Sequence, residues 1–264
     1  ERRYETISMA VVAQLVDDAR MRRGDSMASY HFFTRHGGVS SGRHASLNVS
    51  FGTGDNPANI DKNRSRIRRR VGTQRLISAH QIHSSRVYVD TGTIEDSHEV
   101  EGYDALISNQ PGTALMIQQA DCQAVLLFDP VKNVIGAVHS GWRGSVANII
   151  GETIMQMGRH YGSDPKNLQA GISPSLGPCC AEFVNYREEL PQAFQRYRVK
   201  NNHFDFWQIS VRQLLEAGLK SVAIRKPDIC TSCSEDYFSY RRAVREGDPV
   251  CGRHGSVICL EPFG

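Results

Sequence analysis

The sequence predicts an α+β fold: a single domain in which helices flank one large mixed β-sheet. Three observations carry that expectation. From Leu76 to His139 the chain reads as a succession of short β-like runs, and the amphipathic helical patterns fall mostly after them. Several of those runs are continuously apolar instead of alternating, the pattern of strands covered on both faces. With 264 residues, of which 40% are hydrophobic, the chain carries enough apolar material for one sizeable core.

Taken in order, residues 1–26 have charged ends and an apolar centre and read as a short helix, and residues 29–34 are β-like. The stretch R-H-G-G-V-S-S-G at 35–42 clusters glycine, which works against regular structure. Residues 61–71 are basic and polar, as suits an exposed helix. Residues 86–90, 103–108, 113–118, 122–128 and 134–139 are expected strands. Asp129-Pro130 with Lys132-Asn133 forms a turn between the last two, and a hairpin there brings Cys122 and His139 to the same open end of the sheet. A helix is expected over 144–160, where Val146, Ile149, Ile150, Ile154 and Met157 recur at helical spacing. Further amphipathic helices are expected at 186–198 and 209–219, with short strands at 221–224 and 256–260.

Composition narrows the function. A net charge of +3 calls for neither a nucleic-acid nor a membrane partner. No run approaches the roughly 18 apolar residues that span a bilayer. The apolar stretch 7–16 is interrupted by Gln14, is followed by Asp17 and Asp18, and lacks a small-residue cleavage pattern, so the expected compartment is the cytoplasm. Seven cysteines at irregular spacings read as reduced thiols, not as a disulfide framework.

Reactive side chains concentrate in A-H-Q-I-H (79–83), A-D-C (120–122) and H-S-G-W-R-G (139–144). On an extended strand end His80 and His83 point to opposite faces, so only one of them can serve a given site. The third segment is a strand running through a glycine-flanked turn into a helix, and a helix N-terminus favours an anion. Two imidazoles and a thiolate suit zinc, and three protein ligands leave a fourth position open, as in catalytic sites. The plainer alternative is a small core cysteine beside hydrogen-bonded histidines. Cys230-x-x-Cys233 and Cys251-x-x-His254 have the spacing of a zinc ribbon, but the simpler reading is unrelated thiols, hence one catalytic metal and no structural zinc. Loop 35–42, with Arg35, can cradle a phosphate but matches no nucleotide-binding fingerprint, and a surface turn is the simpler reading. The basic run 64–70 reads as a solvated helix face.

In order, the motifs T-R-H-G-G-V-S, S-L-N-V, G-D-N-P, N-R, Q-I-H, Y-D-A-L-I-S, A-D-C, A-V-H-S-G-W-R-G, L-G-P-C-C, C-T and F-S-Y-R-R resemble one family, the laccase-domain family once named multicopper polyphenol oxidoreductase. The resemblance spans about residues 29–260, so that 27–264 would be the catalytic domain and 1–26 a weakly matched segment. It implies a purine nucleoside phosphorylase that also deaminates adenosine and cleaves methylthioadenosine, with nucleosides and phosphate as partners. It also implies a fold related to toxin deamidases with a Cys–His pair. The implied catalytic and metal ligands are His83, Cys122 and His139, holding zinc or, alternatively, copper; Q-x-H selects His83 over His80. Arg35, Ser40, Asn48, Gln81 and Arg143 are candidate phosphate or ribose contacts, with Arg143 and loop 35–42 expected to line an anion site beside the metal. Ser140, Ser173 and Ala181 depart from the family pattern of alanine, glycine and an aromatic residue. The competing readings are a cysteine hydrolase with Cys122 as nucleophile and His139 as base, a copper-dependent phenol oxidase, and a binding protein without activity. Phenol oxidation is disfavoured, because a multicopper site needs many histidines and the chain has no H-x-H motif.

Overall fold

The computed structural model describes residues 18–23, 26–94 and 96–261, with side chains from Ala28 onward. The chain begins with a hairpin of β1 (Asp18–Arg23) and β2 (Ser26–Phe32), crosses an irregular loop, and enters α1 (Pro57–Val71). Next come β3 (Arg75–His80), β4 (Val87–Val89), β5 (His98–Glu101), β6 (Ala105–Ser108), β7 (Thr113–Gln119), β8 (Gln123–Asp129) and β9 (Val134–Ser140). Helices α2 (Trp142–Val146) and α3 (Ile149–Tyr161) lead to β10 (Gln169–Ile172). The C-terminal third holds α4 (Tyr186–Glu189), β11 (Arg198–Lys200), β12 (His203–Phe204), α5 (Phe206–Glu216), β13 (Ile224–Arg225), α6 (Tyr240–Arg245) and β14 (His254–Leu260).

The α+β class holds, but the expected single large sheet is two six-stranded mixed sheets, ordered β1-β2-β14-β7-β3-β5 and β13-β10-β8-β9-β6-β4, beside a small β11-β12 pair. Their inner faces meet in one core. Tyr30, Phe32, Ile77, Leu115, Ile117 and Ile258 come from the first sheet, and Leu106, Leu126, Phe128, Ile135 and Ala137 from the second. Side chains alternate along each strand, so the intervening residues face outward. Ala114, Met116 and Val257 pack under Ile67 of α1, and Val125, Leu127 and Val138 pack under Ile150, Ile154 and Met157 of α3. The order of layers is helix, sheet, sheet, helix. That is why β7, β8, β9 and β14 are buried at every residue.

Other expectations are corrected locally. Residues 18–23 form a strand, not part of a helix; residues 1–17, 24 and 25 of that expected helix lie outside the described residues. The helix expected over 144–160 is two, broken at Asn148, which takes φ 52° and whose side chain accepts from the Gly151 N–H to cap the second. The helix expected over 186–198 stops after one turn because Pro191 cannot continue it, and a 3-10 segment Gln192–Tyr197 follows. Residues 221–223 are a 3-10 turn ahead of β13. Helix α1 is capped by Asn56 and ended by Gly72 at φ 73°. It is not a wholly solvated face: Arg64 reaches inward to the Val49 carbonyl, Ser78 and Glu99. Among the described residues, no helix is long and apolar enough to cross a membrane.

Candidate metal centre

His139 is the penultimate residue of β9 and lies opposite Ala124 in the β8–β9 hairpin, so Cys122, just ahead of β8, comes to the same end of the sheet as expected. His83 arrives from elsewhere. It sits three residues past β3, not on an extended strand, with its backbone in the left-handed region at φ 61°. One donor atom from each of His83, Cys122 and His139 lies within 4.8 Å of the others. His83 Nε2 is 3.9 Å from Cys122 Sγ, and the two imidazoles meet edge to face at 4.9 Å.

The residue that assembles this group is Asp104, which the motif Y-D-A-L-I-S contains but to which the sequence pattern assigns no role. Its carboxylate is fully buried. Oδ1 accepts from His139 Nδ1 at 2.8 Å and from the His83 N–H at 2.9 Å. Oδ2 accepts from the Ser84 N–H at 2.6 Å and the Ser84 hydroxyl at 2.8 Å. One carboxylate thus orients one imidazole directly and holds the strained backbone of the other. Burial pushes Asp104 up, but the bond to His139 and its charge outweigh it and hold the carboxyl at about 2. Burial likewise opposes charge on Cys122, yet the two imidazoles draw its thiol down to about 6. Burial would lower His139, but the Cys122 thiolate and Asp104 raise it to about 9. Without an ion the pair is therefore a thiolate beside an imidazolium.

The donor set fits a metal. His139 spends Nδ1 on Asp104, which leaves Nε2 for an ion and is the carboxylate–histidine support typical of metal sites. Glycine at 141 leaves room for the group: a Cβ there would stand 3.0 Å from both Cys122 Sγ and His83 Cδ2 and crowd them. Gly141→Ala is expected to lower metal content while leaving the fold intact, which elemental analysis beside far-UV circular dichroism will check. His80 stays outside the group. Its Nδ1 pairs with Glu101 at 2.8 Å, with side chains 56% and 80% exposed. Such a surface pair contributes about 0–1 kcal/mol, so His80→Ala should retain metal and His83→Ala should lose it; equal losses would place His80 in the site.

Asp121 explains further motifs. It takes φ 85° beside Cys122, and its carboxylate accepts from the Thr231 hydroxyl at 2.7 Å and the Arg241 N–H at 2.6 Å, tying A-D-C to C-T and F-S-Y-R-R. Two cavities meet at His83, Cys122 and Tyr240. One, of about 470 Å³, is walled by Trp142, Leu176, Phe183 and Phe206. The other, of about 360 Å³, is polar, with Thr53, Gln81, Gln118, His139 and Arg253.

Of the expected substrate contacts, Gln81 lines the polar cavity and also pairs its amide with the Gln118 backbone. The others do not line either cavity. Arg35 bonds the Ala45 carbonyl and lies over the Phe238 ring. Ser40 bonds Asp55, and buried Asn48 bonds Thr53 and Asp55. Arg143 lies over the Trp142 ring at 4.3 Å. The wall expected from loop 35–42 is supplied instead by Ser50, Gly52 and Thr53, which Asn48 holds in place. Thr53, Arg253, Phe183 and Phe206 carry no local sequence signal that marks them as neighbours of the centre, whereas Trp142 and Tyr240 lie in the motifs H-S-G-W-R-G and F-S-Y-R-R, which could have pointed to them.

Known proteins of the same kind share this architecture. The chain is 34% identical over 241 residues to "Purine nucleoside phosphorylase Cgl2154/cg2365" of Corynebacterium glutamicum, covering 87% of this chain and 93% of that protein. It is 30% identical over 265 residues to "Purine nucleoside phosphorylase" of Bacteroides thetaiotaomicron, covering 90% and 97%. The crystal structure of YlmD from Geobacillus stearothermophilus superimposes with a TM-score of 0.79 at 25% identity, over 93% of this chain and all of that one. The sequence pattern of the family described as multi-copper polyphenol oxidoreductase laccase matches residues 29–261, and the chain belongs to that family.

Proposed function

We propose that the protein is a purine nucleoside phosphorylase acting at the His83–Cys122–His139 centre, and that the same site deaminates adenosine and cleaves methylthioadenosine. The observation that carries this reading is the position of the centre, where a cavity walled by aromatic residues opens into a polar one. The flat purine suits Trp142, Phe183 and Phe206, and the ribose and phosphate oxygens suit Thr53, Gln81 and Arg253. Relatives named purine nucleoside phosphorylase, similar along nearly their whole length, support it.

In phosphorolysis a phosphate oxygen bonds to the anomeric carbon as the bond from that carbon to the purine nitrogen breaks. His83, Cys122 and His139 would hold zinc, or copper, through two imidazole nitrogens and one thiolate. A bound ion supplies Lewis acidity. Asp104 keeps His139 in one tautomer, and the aromatic wall excludes water from the base. The unpaired thiol state of all seven cysteines accords with a cytoplasmic setting, which belongs to this proposal.

A second reading has its own observation: Cys122, His139 and Asp104 stand in the order nucleophile, base and orienting carboxylate, as in a cysteine hydrolase. That arrangement also motivates the suggested kinship with toxin deamidases. Copper-dependent phenol oxidation is less well supported, since the other cluster of metal-binding side chains among the described residues contains no histidine. Incubating the protein with adenosine, inosine or methylthioadenosine, with and without phosphate, separates these. Free base plus the sugar 1-phosphate, formed only with phosphate, is the expected result; inosine from adenosine without phosphate adds deamination. No turnover of any nucleoside by metal-replete protein overturns the proposal.

A further inference from the structure

A second set of soft donors converges away from that centre. Cys179 and Cys180, in the turns after β10, and Cys230 and Cys233, after β13, bring four Sγ atoms within 4.8 Å of one another. Cys233 Sγ lies 3.5 Å from that of Cys180 and 3.6 Å from that of Cys179. Thiols gain little from each other's company, because S–H is a weak donor and sulfur a weak acceptor. A tetrahedral zinc with Zn–S bonds of about 2.3 Å holds its sulfurs roughly 3.8 Å apart, close to the spacings found here.

The backbone around them forms a cradle. The Gly177 N–H points at Cys230 Sγ, 3.3 Å away. The N–H groups of Cys233 and Ser234 both turn onto the Cys230 carbonyl, and those of Cys180 and Ala181 onto the Gly177 carbonyl, so two tight turns face each other. Four thiolates around a divalent cation leave a net negative charge, and α6 supplies the opposite sign. Arg241 bonds the Cys180 carbonyl, Arg242 the Thr231 and Ser234 carbonyls, and Arg245 the Ser232 hydroxyl.

We infer that Cys179, Cys180, Cys230 and Cys233 form a tetrathiolate site for a structural zinc ion. On binding, the four thiols release their protons to solvent, and with all four positions filled by protein the site has no room for substrate. Its place explains its use. Leu176 and residues 181–185 line the aromatic cavity, and so do Tyr240 and Arg241. The ion staples the segment that carries the first group to the segment that leads into the second. The site also replaces the ribbon spacing of Cys230 and Cys233 with Cys251 and His254, and with it the expectation of no structural zinc. Cys251 is buried against Arg253, and His254 is buried on β14 against the Tyr237 ring.

The test uses the full chain, produced with zinc and purified without metal-affinity steps. Elemental analysis should find about two zinc ions per chain, and both His139→Ala and the double variant Cys230→Ser/Cys233→Ser should each lose one. Cobalt added to metal-free His139→Ala protein should give a thiolate-to-cobalt charge-transfer band of the intensity due to four thiolates. In the native zinc form these four cysteines should resist alkylation and become reactive after chelation. The inference is overturned if His139→Ala protein takes up no zinc and shows no such band. It is equally overturned if the four thiols are alkylated at the rate of free cysteine in the zinc form, or are isolated as disulfides from zinc-replete, reduced preparations. The cobalt and alkylation readings keep the cluster intact, so misfolding of the double variant leaves them decisive. Neither depends on nucleoside turnover, so the activity can fail without this site failing.

Discussion

Cys122→Ser protein should lose most of its metal at the His83–Cys122–His139 centre and, with it, nucleoside turnover by on the order of a thousandfold. Oxygen is a poorer partner than thiolate for a borderline-soft ion. Lewis-acid stabilisation is worth several kcal/mol, and each ~1.4 kcal/mol is a decade in rate. The wild-type thiol provides the complementary measurement. With metal bound, Cys122 should be alkylated slowly. Once the metal is stripped, alkylation should accelerate and follow a thiolate titrating near pH 6, because His139 and His83 stabilise its charge. The alternative, in which Cys122 is a nucleophile activated by His139, predicts the reverse. Chelation would leave turnover intact, and a covalent adduct on Cys122 would be trapped by mass spectrometry. Full nucleoside turnover by metal-free protein is the result that defeats the metal reading.

Asp104 is the second position of large effect, although it is not one of the three proposed ligands and lines neither cavity. Asn at 104 keeps the shape but turns one acceptor oxygen into a donor, which must then face the N–H of His139, His83 or Ser84. Loss of such a supporting carboxylate lowers metal affinity by about 10–100-fold. In metal-free protein Asp104→Ala removes one of the two anions beside buried His139, leaving only the Cys122 thiolate, and should destabilise the fold by about 3–5 kcal/mol, measurable by denaturant unfolding. The pH dependence has a defined sign. Asp104 titrates at about 2 in the folded chain against an ordinary 3.8, so its stabilisation is present above pH 4 and disappears as pH falls toward 2. His139 is raised from 6.5 to about 9, so in metal-free protein its contribution is present below pH 6.5 and is lost as pH rises through 9. Metal-free wild type should therefore lose stability as pH falls toward 2, and Asp104→Asn should flatten that loss; on the alkaline side the Cys122 thiol, lowered from 9 to about 6, offsets the His139 contribution. A variant whose unfolding curve keeps the wild-type pH profile would show that Asp104 is not the group responsible.

Strand positions and the β8–β9 hairpin are legible in the amino-acid sequence, since both rest on short-range rules. An apolar run reports burial, and Asp129-Pro130 with the two residues that follow Val131 reports a turn; together they set Cys122 against His139. The helix breaks at Asn148 and Pro191 are harder to place. Proline at 191 is a plain stop signal, but the amphipathic spacing around it competes and favours a longer helix. The left-handed Asn148 carries no signal stronger than the apolar periodicity that runs through it.

By itself the sequence determined the α+β class, the order of most elements and the family, and through its motifs it singled out His83, Cys122 and His139 as candidates. Tertiary structure alone decided that two sheets stack, because an apolar strand face says that it must be covered but not whether a helix or another sheet covers it. It alone gave Asp104 its role, 35 residues from His139 in the chain and one hydrogen bond away in space. It alone moved loop 35–42 off the cavity and put 50–53 in its place, and it alone joined Cys179 and Cys180 to cysteines some fifty residues later. Spacing rules see only ligands carried on neighbouring turns, whereas these partners are brought together by crossovers between strands, whose geometry no local window contains.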